Sequence, residues 1–286
     1  MQSLQSQDFS ISGFAEALTP YLRSNDDDSS NDVYVGIVVQ PGGLSRTHAY
    51  VKIFPKSDTE LLVLNEVIAH SIAAQCEIPS SLTFPCACAK SLLRQSTPAM
   101  LGRNDGSTHV LAVASVDGNP KRIRQLFEDS QAAWADIMNW PQVARAAVYD
   151  ELIGNGDRHV RNLVRCGLSD YVLIDHEHFL FDENWLVSNV DHLRTRRCDA
   201  NALADSIAEG TDEVVRQRMI KLAQNYVLQK YFTAPINAQG LETLCHVQHG
   251  TIAQMVDILN ARRLILPSLM QWHLEKGQLF RVGSFK

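Results

Sequence analysis

Residues 151–164 read ELIGNGDRHVRNLV, and this stretch constrains the fold more than any other. An apolar helical pattern runs into Gly154, Asn155 and Gly156. A helix does not continue through such a tripeptide, because glycine loses the most backbone freedom on folding and asparagine competes for backbone hydrogen bonds. Immediately after come Asp157, Arg158, His159 and Asn162. A carboxylate, a guanidinium, an imidazole and a carboxamide this close together, between apolar flanks, belong in a loop carried by rigid elements. Downstream, YVLID (171–175) reads as a short strand ending in Asp175. A strand returning beside the loop would bring Asp175 back towards Asn162 as one side of a hairpin. Taken alone, the loop equally suits a polar surface turn whose Asp and Asn cap neighbouring helices.

The rest of the pattern is ordered. Residues 1–32 carry Asp8, Glu16, Asp26, Asp27, Asp28 and Asp32 against Arg23 alone, and read as a short helical arm around GFAEALTPYL followed by an acidic linker. VYVGIVV and HAYVKIF are rich in β-branched and aromatic residues, with the turn chemistry of QPGGLSRT between them, so they form a hairpin with a long tip. In the next segment Ser57 and Glu60 fit a capping box, Leu61, Leu64, Ile68 and Ile72 recur at helical spacing, and Pro79 marks the end. THVLAVASVDGNP is a further strand closed by Asp117-Gly118, and the chain beyond is mainly helical. The expected architecture is α+β with two lobes: a small β-rich region over 33–118 and a larger, mainly helical one over 119–286.

Composition excludes some functions. The formal charge is −6, so a nucleic-acid binder relying on phosphate neutralisation is not expected. Six cysteines lie scattered without CxxC spacing, no apolar run approaches the ~18 residues of a membrane span, and a cytoplasmic location is expected. Zinc is a weak alternative: His176, Glu177 and His178, or Cys245, His246 and His249, match no standard spacing. Cys86 and Cys88 read as a buried strand. Arg194, Arg196 and Arg197 read as a solvated face or as a receiver of an anionic substrate.

The side chains match the needs of phosphoryl transfer, which are a group orienting the nucleophile, oxygen ligands for magnesium and a cation on the nucleotide phosphates. Asp157 can orient the proton of an attacking hydroxyl, and Asn162 and Asp175 offer oxygens to a hard cation. Period-two alternation in HAYVKIF puts Tyr50, Lys52 and Phe54 on one face, where Lys52 needs an anion. Glu66 on the following helix is the leading partner and nucleotide phosphate the other; an exposed edge-strand lysine is the plain alternative. Gly43, Ser45 and Thr47 could present amides and hydroxyls to phosphate. Backbone groups at Ala114, Ser115 and Val116 would receive adenine.

LIGNGDRHVRN followed by VLIDH resembles the catalytic and metal-binding segments of HipA-like kinases, and DRH followed by Asn is also similar to the phosphoinositide kinases. The resemblance covers roughly residues 33–181, with VKIF and NEVIAHSIA reinforcing it. It implies a two-lobed protein-kinase-like fold binding ATP and Mg2+, with Asp157 as catalytic base, Asn162 and Asp175 as metal ligands, and Lys52 on the α and β phosphates. His159 acquires a catalytic role through the phosphoinositide-kinase likeness, and Arg158 is expected to structure the loop. A protein hydroxyl is the implied acceptor, Ser45 an implied autophosphorylation site, and a toxin held by an antitoxin or other regulatory partner the implied setting. The alternatives are a phosphoinositide or small-molecule kinase, or a nucleotide-binding pseudokinase. Departures are the triplet Asp175-His176-Glu177 where many kinases have Asp-Phe-Gly, and the missing GxGxxG loop.

Overall fold

A computed structural model describes residues 13–20, 32–40, 46–54, 60–93, 109–116, 130–166, 170–182, 185–210 and 212–283. The chain divides into two compact units. One comprises residues 1–70, 81–120 and 234–252, the other 71–80, 121–233 and 253–286.

The first unit is built on five strands: β1 (Gly13–Pro20), β2 (Asp32–Val39), β3 (Arg46–Ile53), β4 (Leu82–Ala89) and β5 (His109–Val116). Their order is β1-β2-β3-β5-β4, antiparallel throughout except where β1 meets β4 in parallel and closes the barrel. The interior is filled by alternate residues: Tyr34 and Val38 from β2, Ala49, Val51 and Ile53 from β3, Cys86 and Cys88 from β4, Ala112 and Ala114 from β5. So few strands enclose a narrow interior, and alanine and cysteine at the inward positions give it the necessary small side chains. The β2–β3 hairpin pairs from Asp32↔Ile53 to Val39↔Arg46, with its tip, 41–45, outside the described residues.

β1 corrects the expected helical arm. Its Ala, Glu and Leu favour helix, but Gly13 and Pro20 bound a segment too short to hold one alone. Pairing with β2 covers an edge that would otherwise present unpaired backbone groups. Local propensity, worth tenths of a kcal/mol per residue, yields to that pairing.

Helix α1 (Leu61–Gln75) follows β3. Leu61, Leu64, Ile68 and Ile72 are buried as their spacing predicts, but so are Asn65, Glu66 and His70 on the other faces, making this a core helix. Burial lowers the His70 imidazole to about 4, so it is neutral at physiological pH. Glu60 lies just before the helix, its carbonyl accepting the Leu64 N–H at 3.1 Å and its own N–H bonded to Cys245 O at 2.9 Å. Ser57, the other half of the expected capping box, lies outside the described residues.

Along the chain follow α2 (Ser130–Met138), α3 (Val143–Ile153), α4 (Val190–Thr195), α5 (Ala202–Glu209), α6 (Glu213–Gln229), α7 (Ala238–Leu244) and α8 (Thr251–Gly283); the helical unit is centred on α3, buried except at Arg145 and packed against α5 and α6. Asn201 caps α5 through Ala204 N (3.0 Å) and donates to Ala147 O of α3 (2.9 Å), so one carboxamide fixes both the start of α5 and its docking. Glu151 of α3 reaches the long α8 (Thr251–Gly283), its Oε2 lying 2.9 Å from His273 Nε2. The other imidazole nitrogen lies 2.8 Å from Asp205 Oδ1. Arg262 of α8 donates to the carbonyls of Glu151, Leu152, Leu193 and Arg196. Burial pushes its guanidinium down to about 10, still charged at neutral pH.

Burial opposes charge on His273, but hydrogen bonds to Asp205 and Glu151 outweigh it and raise the imidazole above its ordinary value. A raised folded-state value contributes stability that is complete below the unfolded histidine value of about 6.5 and is lost as pH rises through the folded one. The urea midpoint should therefore fall as pH rises above about 6.5, and His273→Gln should flatten that dependence. Parallel declines in the two proteins would show that His273 does not carry it.

Candidate functional site

The loop after α3 begins with Gly154 at φ 67, a left-handed conformation whose N–H bonds back to Asp150 and Glu151 carbonyls and ends the helix. An added Cβ there would lie 2.8 Å from the Phe181 ring, so both the backbone and the packing require glycine. Asn155 is fully buried, and its Oδ1 accepts the Asp157 N–H at 3.1 Å. The Asn162 amide nitrogen donates to the Asp157 carbonyl at 2.9 Å. Two carboxamides thus hold the Asp157 backbone, while its carboxylate is 46% exposed. His159 Nε2 is 4.0 Å from Asp157 Oδ2, beyond direct hydrogen bonding. Its Nδ1 is buried without a partner among the described residues.

After a short 3-10 turn (Val160–Asn162) the chain enters β6 (Leu163–Arg165) and returns as β7 (Tyr171–Leu173), with Leu163 opposite Leu173. The Ile174 N–H bonds to the Asn162 carbonyl at 3.1 Å, so Asn162 and Asp175 stand at the same end of the hairpin. Asp175 has φ 62. Aspartate tolerates this region better than most residues, at a cost of about 1–2 kcal/mol. The carboxamide of Asn162, its nitrogen committed to Asp157, keeps its oxygen for another partner. That oxygen and the Asp175 carboxylate are the kind of donors a hard cation takes.

Arg158 joins these segments. Its side chain is fully buried, and Nε and Nη2 form a bidentate pair with the Asp150 carboxylate at 3.0 and 2.9 Å. Nη1 donates to the carbonyls of Asn162 (3.0 Å) and Ile174 (2.6 Å), and Nη2 also donates to His176 Nδ1 at 3.1 Å. All five guanidinium N–H groups are thereby used. Accepting from arginine puts the His176 ring proton on Nε2, an assignment made from donor and acceptor roles. Burial raises the Asp150 carboxyl above its ordinary value, and Arg158 opposes this. Burial works against Arg158 as well, but the Asp150 carboxylate outweighs it and raises the guanidinium.

In the other unit, Lys52 Nζ lies 3.4 Å from Glu66 Oε1, both side chains largely buried, and over the Phe54 ring at 5.2 Å. β3 is interior, pairing Lys52 with Val33 on β2 and Val113 on β5, so the edge-strand reading of this lysine is wrong. Thr47 is half-buried near the start of β3, and Gly43 and Ser45 lie outside the described residues. Ala114 is paired with Val51 on one side and Phe84 on the other, so its backbone belongs to the ladders and does not suit adenine. Val116 is the last residue of those ladders, and 117–120 lie outside the described residues.

Three further expectations meet the structure. β7 ends before His176, so His176, Glu177 and His178 lie beyond the strand. No group of three His, Cys, Asp or Glu side chains among the described residues is placed to hold a metal. No helix among them is long and apolar enough to cross a membrane. Sequence reasoning missed Asp150 and Asn155. The available signal for Asp150 was that AAVYDELI has no polar face to receive an acid.

No protein-family model matches the chain, and no curated protein matches it. Among solved structures it is similar to the crystal structure of the Helicobacter pylori proinflammatory kinase CtkA. The TM-score is 0.39 and the identity 14%, over 88% of this chain and 98% of that one. A likeness this distant assigns nothing to this chain.

Removing one partner of a buried pair leaves an uncompensated charge, so Arg158→Met should cost about 3–5 kcal/mol in urea unfolding. The double variant Asp150→Leu/Arg158→Met should recover part of that loss. Additive losses would mean that the two side chains are not coupled.

Proposed function

We propose that the chain is an ATP- and Mg2+-dependent phosphotransferase that moves the γ-phosphoryl group to a hydroxyl. One observation carries this reading: Arg158 binds the carbonyls of both Asn162 and Ile174, holding the Asp157 loop against the end of the hairpin that bears Asp175. An exposed carboxylate, a carboxamide oxygen and a second carboxylate on one buried scaffold suit a reaction that depends on positioning and electrostatics.

In this reading Asp157 orients the acceptor hydroxyl and takes its proton, aided by a backbone fixed by Asn155 and Asn162. Asn162 Oδ1 and the Asp175 carboxylate are the magnesium ligands. Bound magnesium would neutralise charge on the β and γ phosphates. Lys52, paired with Glu66, is the cation assigned to the α and β phosphates, and Gly43, Ser45 and Thr47 are the residues whose amides and hydroxyls are further assigned to phosphate. His159 would assist as a hydrogen-bonding group beside Asp157. The finer assignment, a HipA-like serine/threonine kinase with a two-lobed fold, rests on the resemblance of LIGNGDRHVRN and VLIDH. A protein acceptor, autophosphorylation at Ser45 and a toxin role with an antitoxin partner follow from the same resemblance.

The test is incubation with γ-labelled ATP and magnesium, comparing the native chain with Asp157→Ala and Asp175→Ala. Transfer should fall about 10²–10⁴-fold in Asp157→Ala, the range for loss of a general base, and should also fall in Asp175→Ala and on chelation. Equal label in all three proteins would end the reading.

A further inference from the structure

The stretch following the hairpin carries three arginines in different circumstances. Arg194 is paired with Asp191 and Asp257. Arg196 and Arg197 are exposed and form no ion pair with a described residue. Each instead lies over an aromatic ring: Arg196 4.7 Å from the Phe181 centroid, Arg197 5.2 Å from that of Trp272. A guanidinium stacked on a ring is restrained in orientation while its in-plane N–H groups still point outwards as donors. Nearby acids are largely engaged, Asp191 and Asp257 by Arg194 and Asp205 by His273 and Lys276. The other exposed acids of this stretch are Asp182 and Asp199.

This stretch packs on the loop that carries Asp157. The Phe181 ring covers Gly154, and the Phe181 N–H bonds to the Gly154 carbonyl at 3.0 Å. A Cβ on Gly156, the residue before Asp157, would touch Cys198 Sγ at 3.7 Å and Ala200 Cβ at 3.8 Å. The Arg196 carbonyl is held by buried Arg262 at 2.6 Å, so the position of this segment is set from within.

We infer that Arg196 and Arg197 form a docking rim beside Asp157 for an acidic stretch of polypeptide, so that the acceptor hydroxyl arrives on a chain bearing Asp or Glu. The inference rests on the phosphotransferase reading for the hydroxyl but not for the docking. Arg196 has polyproline-like backbone (φ −61, ψ 139), in which successive side chains are rotated by about 120° about the chain and so diverge. The two guanidiniums accordingly stack on different rings. A single phosphate or lipid headgroup is best held by converging cations, whereas carboxylates spaced along a peptide fit diverging ones.

The experiment compares two serine peptides of equal length, one flanked by Glu and Asp and the other by Gln and Asn, on the native chain and Arg196→Gln/Arg197→Gln. Labelled transfer gives kcat/KM, and fluorescence anisotropy gives binding at low and high salt. The native chain should prefer the acidic peptide by about fivefold or more, the scale of two exposed charge contacts. Salt and the double variant should both remove the preference. Equal kcat/KM and equal binding for the two peptides would overturn the docking while leaving phosphotransfer standing. Binding that is salt-sensitive and lost in the variant, without transfer to either peptide, would uphold the docking and overturn the phosphotransferase. A variant-sensitive affinity for phosphatidylserine vesicles, without preference between the peptides, would overturn the polypeptide assignment.

Discussion

The guanidinium of Arg158 is the point on which the site depends. It is fully buried, and its five N–H groups meet acceptors from three parts of the local structure: the end of α3, the close of the loop, and the residues after β7. Burying such a charge costs several kcal/mol even when it is paired, so its net effect on stability is small or unfavourable compared with apolar packing. What the arrangement supplies is registration. Carbonyls of Asn162 and Ile174 can share one donor only if β6 and β7 are paired as observed. That same pairing sets Asn162 beside Asp175.

Asp150 and Glu151 divide the labour of α3. Adjacent residues on a helix point about 100° apart, so two buried acids in sequence serve two different sides. Asp150 faces the loop through Arg158, and Glu151 faces α8 through His273 and Arg262 while also accepting the Cys198 N–H at 3.0 Å. Both the loop bearing Asp157 and the segment leading to Ala200 are thus tied to one helix. The few exposed polar groups of the region stand on a scaffold whose buried acids and guanidiniums are paired with one another, as a site needing fixed geometry requires.

How much was legible in the sequence depended on whether a pattern was local. The β2–β3 hairpin, α1 and the β6–β7 hairpin were readable because alternation, turn residues and helical spacing act over a few residues. Lys52 opposite Glu66 followed from strand alternation and a helix close behind. β1 was not readable, since its strand state comes from an edge supplied by β2 and closure against Cys86 and Ala87 of β4. Nor was the commitment of Ala114, which depends on β5 lying between β3 and β4 rather than at an edge. Within the site the chemical groups were visible and their supports were not, because Asp150 acquires meaning only when Arg158 folds back onto the helix.

The triplet Asp175-His176-Glu177 lacks the glycine that would let such a segment turn over, and the structure explains how it holds one conformation instead. Asp175 itself takes the left-handed backbone at φ 62, and His176 then turns inward to Arg158 and lies edge-on to Tyr149 with ring centroids 5.7 Å apart. His176 and Glu177 are both buried. Reversing the triplet would expose those side chains and break an acceptor contact of a fully satisfied buried guanidinium, a cost exceeding the roughly 1–2 kcal/mol stored in the Asp175 backbone. The strain is therefore kept in place by packing, and the direction of the Asp175 carboxylate is a property of the folded state rather than of a mobile switch.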